Sequence, residues 1–316
     1  MKKLIEEIGL KNSFLVTSHI DPDGDAVGSQ LAMASLLKEM GKRVVILSEK
    51  PIPKKYEFLP SAREIVTRLP AGCEHQVAVV LDSASLKRLG KIEAYVDGKF
   101  LINIDHHPTN VHFGNLNWVV PEASSTSELI YHVIKEMGVR VGEERATCLY
   151  VGILTDTGGF RFPNTTSDSL RIASALVKEG ADPSKIATQV YLNRSMDEVL
   201  LLSKVLATVE IDGGIGTMYL TRGMMKDMKV NTEGFSDHVL QLKDVDVGVL
   251  FKELDGRVKV SLRSRGKIDV SMLAREFGGG GHETAAACLV AGELSEVKKR
   301  VLEAGKRLYG RDNSDQ

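Results

Sequence analysis

The chain is poor in cysteine, and the three it has, Cys73, Cys148 and Cys288, are far apart in 316 residues. With no CxxC pair and an odd count, neither a disulfide framework nor a zinc knuckle is signalled, and a reducing compartment is expected. Charge of either sign is also not in excess: 41 Lys and Arg face 42 Asp and Glu. Without a global positive field there is nothing to gather long nucleic acid through many phosphate contacts, so a nucleotide ligand should be small and long duplexes are excluded. No run reaches the ~18 apolar residues of a membrane span. The start, MKKLIEEIG, carries acid where a secretory signal needs an apolar stretch, which predicts a cytoplasmic protein with no membrane partner. Internal repeats, heptads and low-complexity tracts are missing as well.

What is present is the balance of a folded soluble protein, 43% hydrophobic and 26% charged. The length exceeds one ordinary domain and points to two. Short apolar runs at Phe14–Thr17, Val44–Leu47, Val77–Leu81 and Phe100–Ile104 read as strands. The segments between them are long enough for crossover helices, and Ala26–Met40 has helical spacing. Ser124–Glu136, Glu143–Thr155 and Thr166–Glu179 read as further helices, with Gly138 and Gly180 just past two ends. The expected fold is α/β: an N-terminal parallel sheet with helices on both faces over 1–190, a helical linker over 191–212, and a smaller C-terminal α/β domain with a mixed sheet over 213–316. In that second domain Asp246–Leu254 and Val258–Arg263 form a hairpin about Asp255-Gly256. A helix Val270–Phe277, a strand Thr284–Val290 and a helix Leu294–Leu308 follow, and 311–316 reads as a frayed tail.

The chemistry lies in acids and histidines placed where open parallel sheets bind ligands, at the strands' C-terminal ends. After the first strand come His19, Asp21, Asp23 and Asp25; after the third, Asp82; after the fourth, Asp105, His106 and His107; and Asp156 follows in a later segment. Any one alone would be an ordinary loop or cap residue. Together they load one small volume with like charge. Two such charges ~4 Å apart repel by about 1 kcal/mol in water and nearer ~4 kcal/mol at an effective dielectric of 20, so cations are needed. Carboxylate oxygen with imidazole suits a hard or borderline divalent ion: manganese first, with magnesium, cobalt or zinc as substitutes.

Residues 19–25 and the Asp105-His106-His107 triplet resemble the signatures of the DHH phosphoesterases, a superfamily that includes RecJ-type exonucleases, family II pyrophosphatases and bacterial oligoribonucleases. The resemblance implies two divalent metal ions, one held by His19, Asp23 and Asp82 and the other by Asp25, Asp82, His106 and Asp156. Asp82 would bridge. It further implies that His107 contacts the substrate phosphate, with Asp21 and Asp105 in support. Val260-Ser261-Leu262-Arg263-Ser264 and Gly278-Gly279-Gly280-Gly281-His282 resemble the family's DHHA1 module. Glycine backbone can approach a phosphate closely, so Gly279, Gly280, Gly281, His282 and Arg263 are the expected substrate contacts. Cys288 reads as a buried apolar residue.

The implied reaction is hydrolysis of short oligoribonucleotides to nucleoside 5′-monophosphates and of adenosine 3′,5′-bisphosphate to AMP and phosphate. Water activated by the ion pair attacks in line, with no covalent intermediate. Cyclic di-AMP or linear pApA is an alternative substrate. A single-strand exonuclease would need a basic, aromatic OB-type surface that the chain lacks. A pyrophosphatase fits the glycine-histidine run less well, and a non-catalytic nucleotide sensor should have lost a member of the ligand set. A homodimer through the first domain is compatible with the resemblance.

Overall fold

In the computed structural model, residues 1–225, 230, 232 and 234–312 are described. The chain divides into two compact units, Met1–Asn193 and Arg194–Gln316.

The first unit runs α1 (Lys2–Leu10), β1 (Ser13–Thr17), α2 (Gly24–Glu39), β2 (Arg43–Leu47), β3 (Ile65–Val66), β4 (Val77–Leu81), α3 (Glu93–Val96), β5 (Phe100–Asp105), β6 (Leu116–Val119), α4 (Thr126–Glu136), α5 (Gly142–Asp156), α6 (Ser167–Lys178) and α7 (Pro183–Tyr191). Its six strands pair in parallel in the order β3-β2-β1-β4-β5-β6. Side chains alternate about the sheet with period two. Phe14, Val16, Val77, Val79, Leu81, Ile102 and Ile104 join α1, α2 and α4 to α7 in one core. Leu15, Leu47, Ala78, Val80 and Leu101 face the other way, onto Leu89, Ile92 and Val96.

That second face differs from the expectation of full crossover helices. Between β4 and β5 the cover is a 3-10 stretch, Leu86–Ile92, and the four-residue α3. Between β2 and β4 there are only two 3-10 turns and the two-residue β3. The strands β3 and β6, two and four residues long, are too short to stand out in the sequence; the nine-residue helices α1 and α7 are further elements beyond those expected, the latter capped by Asp182 with Pro183 in its first turn.

The strand order reverses direction between β1 and β4, the switch point at which doubly wound sheets open a crevice. α2 is buried along nearly its whole length against α5. A Cβ on Gly28 would strike the Cys148 carbonyl, so glycine lets the two helices touch backbone to backbone. This contact brings the start of α2 beside the end of α5.

The second unit contains α8 (Met196–Leu206), β7 (Glu210–Asp212), β8 (Ile215–Leu220), β9 (Val247–Leu254), β10 (Arg257–Ser264), α9 (Val270–Glu276), β11 (Gly280–Gly281), β12 (Ala285–Ala291) and α10 (Leu294–Asp312). The sheet is mixed, in the order β11-β12-β10-β9-β8-β7, with β8 and β9 parallel and the other pairs antiparallel. The Asp255-Gly256 hairpin forms, with Gly256 supplying the positive φ of 64°. α8, expected in a linker, packs Leu201, Leu202 and Val205 on Met218, Leu220, Phe235 and Leu250 of this unit. Of the expected tail, Arg311 and Asp312 belong to α10 and 313–316 lie outside the described residues.

Candidate metal centre

The acids and histidines of the first unit come together at the C-terminal edge of its sheet, around the β1/β4 switch point. Three of the four segments leave strands, as expected from the sequence; Asp156 instead ends a helix, α5. Helix packing, and not strand order, delivers it.

His19 follows β1, with Nε2 3.3 Å from Asp82 Oδ2 and 3.9 Å from Asp23 Oδ2. Asp23 plays two parts with its two oxygens. Oδ1 caps α2, accepting from the N–H groups of Asp25 and Ala26 at 3.1 Å each, and Oδ2 faces His19. Asp25, in the first turn of α2, is fully buried. Its Oδ2 accepts from the Thr126 N–H at 2.6 Å and its Oδ1 from the Ser127 N–H at 2.8 Å, at the amino end of α4.

Asp82 sits in the left-handed region at φ 52°, a conformation that Asp tolerates and that the Asp82 N–H bond to the Ile104 carbonyl holds in place. Its oxygens face opposite halves of the cluster: Oδ2 toward His19, and Oδ1 3.8 Å from His106 Nε2 and 3.6 Å from His107 Nδ1. His106 donates from Nδ1 to the Ala123 carbonyl at 3.0 Å, which turns Nε2 toward Asp82 and Asp156, the latter at 3.4 Å. His107 donates from Nδ1 to Asp105 at 2.7 Å, and Asp105 also accepts from Asn110 at 2.6 Å. Asp21, by contrast, points to the surface and pairs with Lys50.

The electrostatics show what such a site requires. Burial, with repulsion from Asp82, pushes the Asp25 carboxyl up to about 7. Burial likewise raises Asp156 well above the carboxylate range, and Asp25, Asp23 and Asp82 add to it against the pull of His106. Burial opposes a charge on His106, yet Asp156, Asp25, Asp82 and Asp105 together lift it to about 9. Asp82, although buried, is held well below the usual range by the His19 hydrogen bond and by His107 and His106. Protons therefore sit where the carboxylates need positive charge, and divalent cations would displace them. Ligand atoms of His19, Asp23 and Asp82 lie within 4.8 Å of one another, as do those of Asp25, Asp82 and His106. Carboxylate oxygen and imidazole nitrogen fit a divalent cation, and two triads sharing one aspartate fit two.

The structure adds residues that sequence reasoning passed over. Ser124-Ser125-Thr126-Ser127 was read as a helix start, but not as the pair of amide donors that fixes Asp25. Asn164 donates to the Ser124 carbonyl at 3.0 Å and to the Asp156 carbonyl at 3.2 Å, tying α4 to α5. Arg88 stands against His107. None of these carries a sequence signature of its own.

In the second unit the glycine run is partly β11 and not a free loop. The N–H groups of Gly278, Gly279 and His282 are donated to Arg275, Ala274 and Ala285, so the expected amide cradle is not free at those positions. A Cβ on Gly279 would strike the Ala287 carbonyl, and one on Gly281 the Ala285 carbonyl, whereas Gly280 has open space. Arg263 on β10 donates from Nε to Asp237 at 2.8 Å. Burial pushes the Cys288 thiol up to about 11, as befits a core residue.

Two family descriptions match the chain: "DHH family, N-terminal domain" over residues 13–153 and "DHHA1 domain" over 228–308. The chain is 34% identical over 310 residues to the bifunctional oligoribonuclease and PAP phosphatase NrnA of Thermus thermophilus, covering 96% of this chain and 92% of that protein. It is 30% identical to the protein of the same name in Bacillus subtilis, over 91% of this chain and 92% of that one. Among solved structures, an exopolyphosphatase-related protein from Bacteroides fragilis superposes with a TM-score of 0.89 at 29% identity, covering 99% of this chain and 96% of that one.

Proposed function

The chain belongs to the DHH family, and on that premise we propose that it is a two-metal phosphoesterase of short oligoribonucleotides, releasing nucleoside 5′-monophosphates, that also converts adenosine 3′,5′-bisphosphate to AMP and phosphate. The observation that carries this reading is the convergence on Asp82, whose two oxygens face two separate groups of ligand atoms. One ion would be held by His19, Asp23 and Asp82, the other by Asp25, Asp82, His106 and Asp156, and manganese suits the mixed donors best. When bound, such a pair supplies Lewis-acid stabilisation of a phosphate and a nucleophile from water at neutral pH.

The protein's own groups orient this chemistry. The Ala123 carbonyl aims His106, and the amino end of α4 locks Asp25. His107 is buried beside Asp82, with Asp105 accepting from its Nδ1. In the second unit Arg263, the His282 side chain and the backbone of Gly280 and Gly281 are the groups proposed for the substrate's phosphate and terminal nucleotide; the Gly279 N–H, expected among them, is donated to the Ala274 carbonyl. Among the described residues no helix is long and apolar enough to cross a membrane.

The test is a parallel incubation with manganese and an RNA pentamer, adenosine 3′,5′-bisphosphate, pApA, a long single strand and pyrophosphate. Mononucleotides from the pentamer and phosphate from the bisphosphate are expected. Phosphate from pyrophosphate alone would overturn the reading, and preference for pApA would move the substrate to cyclic-dinucleotide products.

A further inference from the structure

Arg88 has no part in the ligand set, yet it is built into the site. It lies in the 3-10 stretch Leu86–Ile92 that follows β4. Its carbonyl accepts from the Ile20 N–H at 2.8 Å, which ties this stretch to the loop carrying His19 to Asp25. Its Nη1 lies 2.9 Å from His107 Nε2, while His107 Nδ1 lies 2.7 Å from Asp105 Oδ1. Arginine can only donate, and an ionised carboxylate can only accept. The imidazole between them therefore carries its proton on Nδ1 and offers the Nε2 lone pair to Arg88.

An imidazole arranged in this way has no N–H left for a phosphate oxygen. The guanidinium beside it has five, and His107 takes one. Among the described residues Arg88 takes part in no salt bridge, and its side chain is held by His107. The line of support continues inward: Asp105 Oδ2 accepts from Asn110 Nδ2 at 2.6 Å, and Asn110 Nδ2 also donates to Asn103 Oδ1 at 2.8 Å in the core of β5. The rigid sheet thus orients a carboxylate, the carboxylate orients an imidazole, and the imidazole orients a guanidinium.

We propose that Arg88 is a phosphate-binding residue of this site, gripping the scissile phosphate of a nucleotide ester through charge-assisted hydrogen bonds, and that His107 is its positioning residue. The proposal rests on the phosphoesterase reading and deepens it. A planar fork suits two oxygens of a phosphate, where an ammonium offers a single point of charge.

The test compares Arg88→Ala, Arg88→Lys and Arg88→Ala/His107→Ala with the unchanged manganese-loaded protein. Metal content, kcat and KM on adenosine 3′,5′-bisphosphate, and calorimetric binding of inorganic phosphate are measured. Arg88→Ala is expected to keep its metal and lose about a hundredfold in kcat/KM. Its phosphate affinity should fall in parallel, and added guanidinium should restore part of the rate. Arg88→Lys should fall between the two. The double variant should lose little more than Arg88→Ala, because one residue acts through the other. Unchanged turnover and phosphate binding in Arg88→Ala would overturn the proposal, as would a loss that follows metal content and resists guanidinium. If the unchanged protein hydrolyses none of the nucleotides, the phosphoesterase reading fails, and phosphate binding alone then decides the role of Arg88.

Discussion

The two units bury polar groups in opposite ways. In the first, His19, Asp25, Asp82, Asp105, His106 and His107 are all withdrawn from solvent within one cluster. In the second, the buried polar residues among those described are Thr217, Ser236, Ser264 and Ser271, hydroxyls only. Hydroxyls find partners cheaply inside a protein, whereas buried like charges repel and lose hydration. The first unit thus carries a cluster whose ionised form opposes folding unless protons or cations neutralise it, and the second is assembled by ordinary packing of Val, Leu and Phe. The difference teaches where chemistry is stored: in the unit that holds a destabilising cluster on a rigid sheet.

Four changes sharpen or break this contrast. The largest effect is expected from Asp82→Ala, which removes the carboxylate facing both halves of the cluster. Turnover should drop by at least about a thousandfold, with metal content lost in parallel. Full metal occupancy with ordinary activity would remove the asymmetry between the units.

Next comes packing beneath the cluster. A Cβ on Gly152 would collide with Ser127 and press 2.7 Å from Asp25 Oδ1, so Gly152→Ala should cost about 1–3 kcal/mol and weaken metal binding together. In the second unit Gly279→Ala should also destabilise, by striking Ala287, but without touching metal affinity. Gly280→Ala, with nothing near its Cβ, should leave the melting temperature unchanged. A rise in KM in that variant would then report a ligand passing close to the backbone.

A third change is pH on the metal-free protein. Asp25 is raised from 3.8 to about 7 and His106 from 6.5 to about 9, so the stability Asp25 contributes at low pH is lost between 3.8 and about 7, and that of His106 between 6.5 and about 9. The melting temperature of the metal-free protein should fall from about pH 5 to 9, first through Asp25 and then through His106, while affinity for divalent cations rises over the same interval, since both groups must shed protons to bind. Calorimetry with and without manganese checks both slopes; a stability that rises over that interval would contradict the raised values.

The smallest effect belongs to the second unit. Arg263 and Asp237 form a partly exposed pair, so Asp237→Ala should change stability by no more than about 1 kcal/mol. A larger loss in thermal melts would show that the second unit also depends on charge.

Much of the fold was legible because its signals are local. The runs at Phe14–Thr17, Val77–Leu81 and Phe100–Ile104 are apolar enough to be strands of a covered sheet, and the Asp255-Gly256 turn fixes its hairpin from two residues. The cover on the sheet's second face was not legible. Leu86–Ile92 has the length of a helix but folds as 3-10 turns broken at Gly90, whose φ of 61° interrupts the helical run.

The site shows the same division. Residue types and spacing alone named an acidic and histidine set dense enough to call for cations, because ionised carboxylates crowded together repel in any fold. Only the tertiary structure decided how each member is aimed: Asp25 by the amide groups of an α4 more than 100 positions away, His106 by the Ala123 carbonyl, and His107 by Asp105 on one side and Arg88 on the other. Hydrogen bonds depend on distance and angle, and the chain brings those groups together only when α2, α4 and α5 have packed on the sheet.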